Sequence, residues 1–243
     1  KQLNRETREM TRNFFKILFS VFRVFRGLKI NMTLSKNSVA VITGAASGIG
    51  RALAVRLAEE KIAGIAVCDV NEQGLNETAG MVEKSGAAVS KHIVDASKFE
   101  QIERLKAEVL EKHARATHLI NNAGVGLFGS FEQISIEDFE WLMGINFWGV
   151  VYGCKVFLPE LKKHDAAHIV NLSSVFGLIA PPEQTAYCAS KFAVRGFTES
   201  QQSLQYLAYE TGGFPFINQN NINLGISRML ADQGSYYLLG YQP

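Results

Sequence analysis

The fold is most constrained by a glycine-rich segment that reads Thr-Gly-Ala-Ala-Ser-Gly-Ile-Gly and ends at Gly50. It lies between an apolar run and a run with helical periodicity. Gly44 permits a tight exit from a strand, Gly48 lets a ligand approach the backbone, and Gly50 lets the helix pack close to the sheet. Free N–H groups at the helix start favour an anion such as a pyrophosphate. The residues predicted to form this phosphate-binding turn are Gly44, Ser47, Gly48, Ile49 and Gly50.

Short apolar runs alternate with amphipathic runs along the rest of the chain. The predicted strands are Val39–Thr43, Ile65–Asp69, Val89–Val94, Leu119–Asn121 and His168–Leu172. The predicted helices are Gly48–Lys61, Glu72–Ser85, Phe99–His113, Ile136–His164 and Thr185–Glu210. Apolar strands that alternate with helices predict a parallel sheet covered on both faces. Right-handed crossovers then give a single α/β domain with a doubly wound, mostly parallel sheet, the Rossmann fold.

Composition limits the class of protein further. The 243 residues, 47% hydrophobic and 20% charged, suffice for one globular domain with a substantial core. A net charge of +2 gives no reason to expect a nucleic-acid partner. The cysteines, Cys68, Cys154 and Cys188, are widely spaced and are expected to be reduced thiols in the cytoplasm. His164 and His168 lack further converging ligands, so we predict no metal site.

The N-terminal extension, residues 1–31, differs in character from the rest of the chain. Residues 14–30 are mostly apolar, with a recurring polar stripe and several cations. The segment is too short and too cationic for a membrane span, and it fits a basic amphipathic helix at a membrane surface. A helix packed on the domain or on a second subunit is the alternative. The compact domain is expected to begin at Met32.

Asp69 ends the second predicted strand, where a carboxylate can accept hydrogen bonds from both hydroxyls of an adenosine ribose. It would repel a 2′-phosphate. Neither Arg nor Lys occurs inside the glycine turn or just after Asp69. The sequence therefore favours NAD over NADP.

Three motifs occur in a characteristic order over residues 32–199. They are Thr-Gly-x-x-x-Gly-x-Gly, the tetrad Asn-Asn-Ala-Gly that ends at Gly124, and Tyr-Cys-Ala-Ser-Lys that ends at Lys191. Together they resemble the short-chain dehydrogenase/reductase family. The resemblance implies an NAD(P)-dependent oxidoreductase that moves hydride between a nicotinamide and an alcohol or ketone.

The resemblance also implies roles for single residues. Tyr187 matches the general acid/base, and Lys191, one helical turn later, would lower the pKa of Tyr187 and hold the nicotinamide ribose. Ser174 matches the serine that binds the reacting oxygen, in preference to its neighbour Ser173. Asn146 matches the asparagine that holds a water in a proton relay.

Further positions match the cofactor site and its surroundings. Asp95 matches a residue that contacts adenine, and Asn122, Ala123 and Gly124 match a loop that lines the cofactor. Apolar residues that suggest a cleft for an apolar alcohol or carbonyl substrate are Phe128, Phe131, Phe176, Leu178 and Ile179. The two longest predicted helices resemble those that pair in dimers or tetramers of the family.

Past Glu199 the family pattern is expected to stop. The tail, residues 200–243, resembles the end of a bacterial von Willebrand factor A-type domain, which suggests a fusion. Its pattern predicts a strand at Gly213–Asn218, a helix at Ile222–Asp232 and a strand at Tyr236–Tyr241, which together could complete the sheet. Two alternatives to an enzyme therefore stay open. One is a dinucleotide-binding module with impaired catalysis, and the other is a membrane-surface or interaction protein.

Overall fold

A six-stranded, wholly parallel sheet forms the centre of the described domain in a computed structural model that describes residues 34–200 and 236–240. The strand order is β3-β2-β1-β4-β5-β6. The strands are β1 Val39–Thr43, β2 Gly64–Asp69, β3 Ala88–Ile93, β4 His118–Asn121, β5 His168–Leu172 and β6 Tyr236–Gly240. The predicted Rossmann architecture is confirmed, and the first five strands agree with the prediction to within one residue at each end.

Helices connect the strands. They are α1 Gly48–Glu59, α2 Glu72–Glu83, α3 Phe99–His113, α4 Ile136–Leu161 and α5 Thr185–Ser200. The single helix predicted over Ile136–His164 is present but is interrupted by a π turn at Gly144–Trp148. Periodicity cannot reveal such a turn, because one inserted residue barely disturbs the apolar pattern. The part of the last predicted helix beyond Ser200 lies outside the described residues.

The sheet is covered on both faces, and alternate residues of one strand supply both cores. Ala40 and Ile42 pack with Leu57 and Leu75 from α1 and α2. Val41 points the other way, into a cluster that holds residues of α3, α4 and α5, including Leu105, Phe157 and Val194. This division follows from the two-residue period of a strand, whose successive side chains face opposite sides.

The strand order reverses beside β1, which lies between β2 and β4. The carboxyl ends of β1 and β4 therefore open a crevice, because their connecting segments leave in opposite directions. The glycine turn follows β1 and the Asn122–Gly124 loop follows β4. Both segments predicted to bind a cofactor thus meet at one edge of the sheet.

The tail contributes the last strand of the described sheet. β6 pairs with β5 in parallel, with Val170 opposite Leu238, so the strand predicted at Tyr236–Tyr241 is present. The predicted strand Gly213–Asn218, the predicted helix Ile222–Asp232 and the amphipathic segment 14–30 all lie outside the described residues. Among the described helices, α4 alone is long and apolar enough to span a membrane by length and composition. Its buried Val150 and Phe157 pack in the core, as expected for a core helix.

Candidate active site

The glycine turn has the backbone geometry that its sequence predicts. Gly44 has φ +65° and Gly48 has φ +55°, a region that favours glycine. A Cβ at Gly50 would lie 2.3 Å from the carbonyl oxygen of Gly44, so a side chain there is excluded. A Cβ at Gly48 would meet nothing within 4 Å, and Ser47 and Gly48 are exposed. The turn is therefore closed toward the sheet and open toward the crevice.

The N-terminus of α1 suits an anionic ligand. Ser47 occupies the N-cap position, but its side chain caps no N–H group, whereas Asn71 and Ser135 do cap the helices that begin after them. The first N–H groups of α1 thus remain available to a ligand at the exposed turn. The cradle fits the pyrophosphate of a dinucleotide, which is stabilised by N–H groups and by the helix dipole.

Two carboxylates lie at the carboxyl ends of the neighbouring strands β2 and β3. Asp69 accepts hydrogen bonds from the N–H groups of Ala46 (3.1 Å) and Asn71 (3.0 Å), which fixes it beside the glycine turn. Asp95 accepts from the backbone N–H (2.9 Å) and the hydroxyl (2.7 Å) of Ser97. The fold therefore brings both predicted adenosine-binding residues to the edge of the sheet that carries the turn.

The loop after β4 is tied to the glycine turn through Thr43. The backbone N–H groups of Asn122 and Ala123 both donate to Thr43 Oγ1 at 3.1 Å. The side-chain Nδ2 of Asn122 donates to the carbonyl oxygens of Thr43 (2.9 Å) and Gly44 (3.0 Å). Asn122 therefore braces the two loops, and Thr43 is a site residue that sequence reasoning passed over. The sequence feature that could have identified Thr43 is a hydroxyl side chain at the end of a predicted strand, directly before the first glycine of the turn.

Tyr187, Lys191 and Ser174 converge where β5 ends and α5 begins. A side-chain hydrogen bond links Ser174 to Tyr187. Lys191 is only 5% exposed, its Nζ donates to the carbonyl oxygen of Leu172 at 3.1 Å, and it lies 5.6 Å from the centroid of the Tyr187 ring. Ser173 instead donates to the carbonyl oxygen of Lys191 (3.4 Å). Of the two serines, Ser174 is thus the one that reaches the tyrosine.

The electrostatics of this group differ from the sequence prediction. Burial raises the pKa of Tyr187 above its usual value, and the hydrogen bond with Ser174 opposes that rise. The sequence predicted that Lys191 lowers the pKa of Tyr187. In this structure the pKa of Tyr187 is raised overall, so the predicted direction is wrong. Burial also lowers the pKa of Lys191 to about 8, because the charged ammonium is poorly solvated.

Asn146 lies in the π turn of α4 and is fully buried. Its Oδ1 accepts from the N–H of Val125 (2.8 Å), and its Nδ2 donates to the carbonyl oxygen of Val125 (2.9 Å) and to Ser190 Oγ (3.1 Å). A Cβ on Gly124 would lie 3.3 Å from Asn146 Oδ1 and 3.6 Å from Lys191 Nζ. Asn146 and Lys191 thus both approach the loop after β4.

The apolar residues predicted for a substrate cleft occupy the loops after β4 and β5. Phe128, Phe131 and Ile179 are exposed, and Phe176 packs edge-on against Tyr187 with ring centroids 6.0 Å apart. The N–H of Gly129 donates to the carbonyl oxygen of Glu183 (3.1 Å), which joins the two loops. Of the predicted cleft residues, Phe176 is therefore the one that packs against the tyrosine.

Comparison with known proteins identifies the family. Residues 38–227 match the family model described as short chain dehydrogenase. The chain belongs to the short-chain dehydrogenase family. This match extends past Glu199, where the sequence resemblance was expected to end, so part of the tail follows the family pattern. The proposed fusion to a von Willebrand factor A-type domain has no support from it.

Individual relatives resemble the chain over most of its length. SadH of Mycobacterium tuberculosis, named as an oxidoreductase, is 39% identical over 198 residues, or 81% of this chain and 71% of SadH. A short-chain dehydrogenase from Burkholderia phymatum in complex with NAD is 35% identical with a TM-score of 0.69, covering 84% of this chain and 65% of that protein. Carveol dehydrogenase from Mycobacterium avium, also with NAD, is 27% identical with a TM-score of 0.67, covering 73% and 68%. The chain thus spans about two thirds of the length of these relatives.

A further residue of this short-chain dehydrogenase, Arg51, is a cation beside the turn that the sequence prediction overlooked. It follows Gly50 directly, but its guanidinium forms an ion pair with Glu77 (2.8 Å) and donates to Thr78 Oγ1 (3.0 Å). It also donates to the carbonyl oxygen of Gly74 (3.3 Å) and to that of Ala46 in the glycine turn. Arg51 therefore joins α2 to the glycine turn, a pairing that periodicity alone cannot predict.

Proposed function

We propose that this chain binds NAD and catalyses hydride transfer between the nicotinamide and a small, apolar alcohol or ketone. The observation that carries the proposal is the convergence of Tyr187, Ser174, Lys191 and Asn146 at the edge of the sheet that also bears the glycine turn. Each side chain is of the type that the chemistry requires. Because the chain spans about two thirds of its relatives' length, the substrate and the complete activity are part of the proposal.

Each residue has a distinct task in this proposal. A bound nicotinamide supplies or accepts the hydride. Tyr187 donates a proton from its hydroxyl to the carbonyl oxygen during reduction and accepts it back during oxidation, while Ser174 holds that oxygen. Lys191 binds the nicotinamide ribose, and Asn146 supports the loop at Gly124 and a water in the proton relay.

The cofactor preference rests on Asp69. Its carboxylate lies next to the glycine turn, where it would receive the ribose hydroxyls of NAD and repel the phosphate of NADP. Arg51, the nearest cation in sequence, is paired with Glu77, whose carboxylate offsets the charge of the guanidinium. Related solved structures hold either cofactor type, since an alcohol dehydrogenase from Thermococcus sibiricus is complexed with 5-hydroxy-NADP.

The proposal is tested by Tyr187→Phe. Purified wild-type protein is screened against a panel of apolar alcohols and ketones with NAD or NADH, and NADH binding is measured by calorimetry. We expect turnover that Tyr187→Phe reduces by about a hundredfold or more, the scale of a lost acid/base group, with NADH binding retained. Normal NADH binding without any turnover in the wild type would reject the enzyme and favour the dinucleotide-binding module.

The remaining proposals concern assembly and location. We expect a homodimer or homotetramer, because α4 and α5 leave Trp141, Trp148 and Phe192 exposed, and light scattering of the purified chain tests this. Peripheral membrane contact through residues 14–30, against a purely cytoplasmic location, is tested by liposome flotation of the full chain beside a chain that starts at Met32. The origin of residues 200–243 in a von Willebrand factor A-type domain stays a prediction.

A further inference from the structure

One buried hydroxyl connects the two helices that supply the proposed catalytic residues. Ser190 lies on α5 between Tyr187 and Lys191 and is fully buried. Its Oγ lies 2.7 Å from the carbonyl oxygen of Tyr187 and 3.1 Å from Asn146 Nδ2. A carbonyl can only accept and an amide nitrogen can only donate, so the directions of both bonds are fixed. The hydroxyl donates to Tyr187 and accepts from Asn146.

Both N–H donors of the Asn146 amide are engaged through this arrangement. Both of its N–H bonds are used, one by the carbonyl oxygen of Val125 and the other by Ser190, while its Oδ1 accepts from the N–H of Val125. Val125 follows Gly124 directly. A continuous chain of hydrogen bonds therefore runs from the loop after β4, through the π turn of α4, to the first turn of α5.

We infer that Ser190 is a positioning residue that holds Asn146 and the Gly124–Val125 loop in register with Tyr187 and Lys191. The inference rests on the proposed function for its catalytic consequence. Without the Ser190 hydroxyl, one N–H of Asn146 is buried without an acceptor, which costs free energy. That cost favours rotation of the amide away from Val125. The loop carrying Gly124, which approaches both Asn146 and Lys191, then loses its fixed position.

The test compares Ser190→Ala with Thr198→Val. Thr198 is a matched control, since its hydroxyl lies on the same helix, donates to the carbonyl oxygen of Val194 (2.8 Å) and accepts from Asn171 Nδ2 (3.4 Å). Neither partner is a proposed catalytic residue. For Ser190→Ala we expect kcat to fall about tenfold at nearly unchanged KM for NADH, because misplacing a catalytic group by about 1 Å can cost up to a hundredfold. Thr198→Val should leave kcat unchanged. Ser190→Cys, close to serine in volume and a weak acceptor, should lie between serine and alanine.

A second readout does not depend on turnover. Hydrogen exchange of the Val125 amide should be about tenfold faster in Ser190→Ala than in the wild type and unchanged in Thr198→Val, since exchange follows local opening. A double variant, Ser190→Ala with Asn146→Ala, should have a kcat no lower than that of Asn146→Ala alone.

Wild-type exchange at Val125 in Ser190→Ala would overturn the inference, and so would a wild-type kcat in an active enzyme. If the wild-type protein itself shows no turnover, the proposed function fails. The exchange measurement then decides the structural part of the inference alone.

Discussion

At the scale of single residues, burial sets the chemistry of the tyrosine and the lysine. Both groups are deprived of solvent, so the neutral form of each is favoured: the pKa of Tyr187 rises and that of Lys191 falls to about 8. Near neutral pH Tyr187 is therefore a phenol, ready to donate a proton to a carbonyl oxygen. Its partner Ser174 moderates this shift through a hydrogen bond.

This ionisation predicts different pH profiles for the two directions of reaction. Ketone reduction uses the phenol and should be nearly independent of pH between about 6 and 7, below the pKa of Lys191. Alcohol oxidation uses the phenolate, so its kcat/KM should rise about tenfold per pH unit between about 6 and 8. Steady-state rates in both directions, with Tyr187→Phe as the blank, check this. A plateau in oxidation that begins near pH 7 would contradict a raised tyrosine pKa.

Cofactor choice is also decided by one residue. Asp69→Asn removes the charge and keeps one of the two carboxylate oxygens, which accept separately from the N–H groups of Ala46 and Asn71. The ratio of kcat/KM for NADP to that for NAD should rise about tenfold or more, since repulsion of a 2′-phosphate is relieved. Glu72→Gln is the control, because it removes an exposed carboxylate in the same region. A ratio that is equal in both variants would remove Asp69 from the specificity argument.

At the scale of elements, α4 packs on β4 through a glycine. A Cβ at Gly153 would lie 2.2 Å from Asn121 Oδ1, and Asn121 is held by its hydrogen bond to Asn171 at 2.8 Å. Neither asparagine side chain can move away from an added Cβ, because both asparagines are buried. The close approach of helix and strand thus depends on a missing side chain and on a polar pair that fixes the neighbouring strands.

Gly153→Ala should accordingly destabilise the protein. The expected loss is roughly 2 kcal/mol, from overpacking and from disturbing a buried hydrogen bond. Urea denaturation measures it, and Gly80→Ala is the control. A Cβ at Gly80, on α2, would meet nothing within 4 Å, so that change should be neutral or stabilising by up to about 1 kcal/mol. Equal effects of the two variants would contradict the packing argument.

Neighbouring strands also carry a buried pair of histidines at their amino ends, away from the crevice at the carboxyl ends. His118 on β4 lies in register with His168 on β5, and their rings stack with centroids 4.7 Å apart. Burial lowers the pKa of both, that of His168 to about 4. In the unfolded chain the histidines have a pKa of about 6.5 and bind protons below that pH, whereas in the native state they stay neutral. The stability of the native state therefore falls as the pH drops toward 4.

The histidine pair therefore predicts acid sensitivity. Between pH 7 and 4 His168 alone should cost roughly 3 kcal/mol of stability, and His168→Leu should remove that part of the pH dependence. Denaturation at both pH values checks the slope. Ile169→Val, an apolar change on the same strand, should lower stability equally at both values. A pH slope in His168→Leu that matches the wild type would contradict the assignment.

At the scale of the whole molecule, the sheet is extended by a strand that is distant in sequence. β6 covers β5, which would otherwise present unpaired backbone groups at the edge of the described sheet. Successive N–H groups of a strand point to opposite sides. Of two neighbouring residues in β6, one therefore donates toward β5 and the other away from it.

Proline substitution tests this pairing. Of Tyr237→Pro and Leu238→Pro, one should remove a hydrogen bond to β5 and lower the melting temperature by several degrees more than the other. Differential scanning calorimetry of both variants makes the comparison. The paired substitutions control for the rigidity that proline adds. Equal melting temperatures for the two variants and the wild type would show that β6 contributes nothing to the stability of the sheet.

Much of the fold and the cofactor cradle could be predicted because the determinants are local. The two-residue and 3.6-residue periods give strands and helices directly, and the glycine turn carries its conformation in its own residues. Tyr187 and Lys191 share one face of a helix by spacing alone, so their proximity also followed from the sequence. Asp69 and Asp95 came together because the carboxyl ends of parallel strands meet at one edge.

Other features were decided only by the tertiary structure, because they depend on contacts between distant segments and on burial. The π turn that presents Asn146, the Ser190 hydroxyl beneath it and the engagement of Arg51 by Glu77 leave no periodic mark on the sequence. The direction in which the pKa of Tyr187 shifts was likewise decided by the tertiary structure. A charge one turn away can be read from spacing, but the desolvation that outweighs it arises only when the chain folds around the residue.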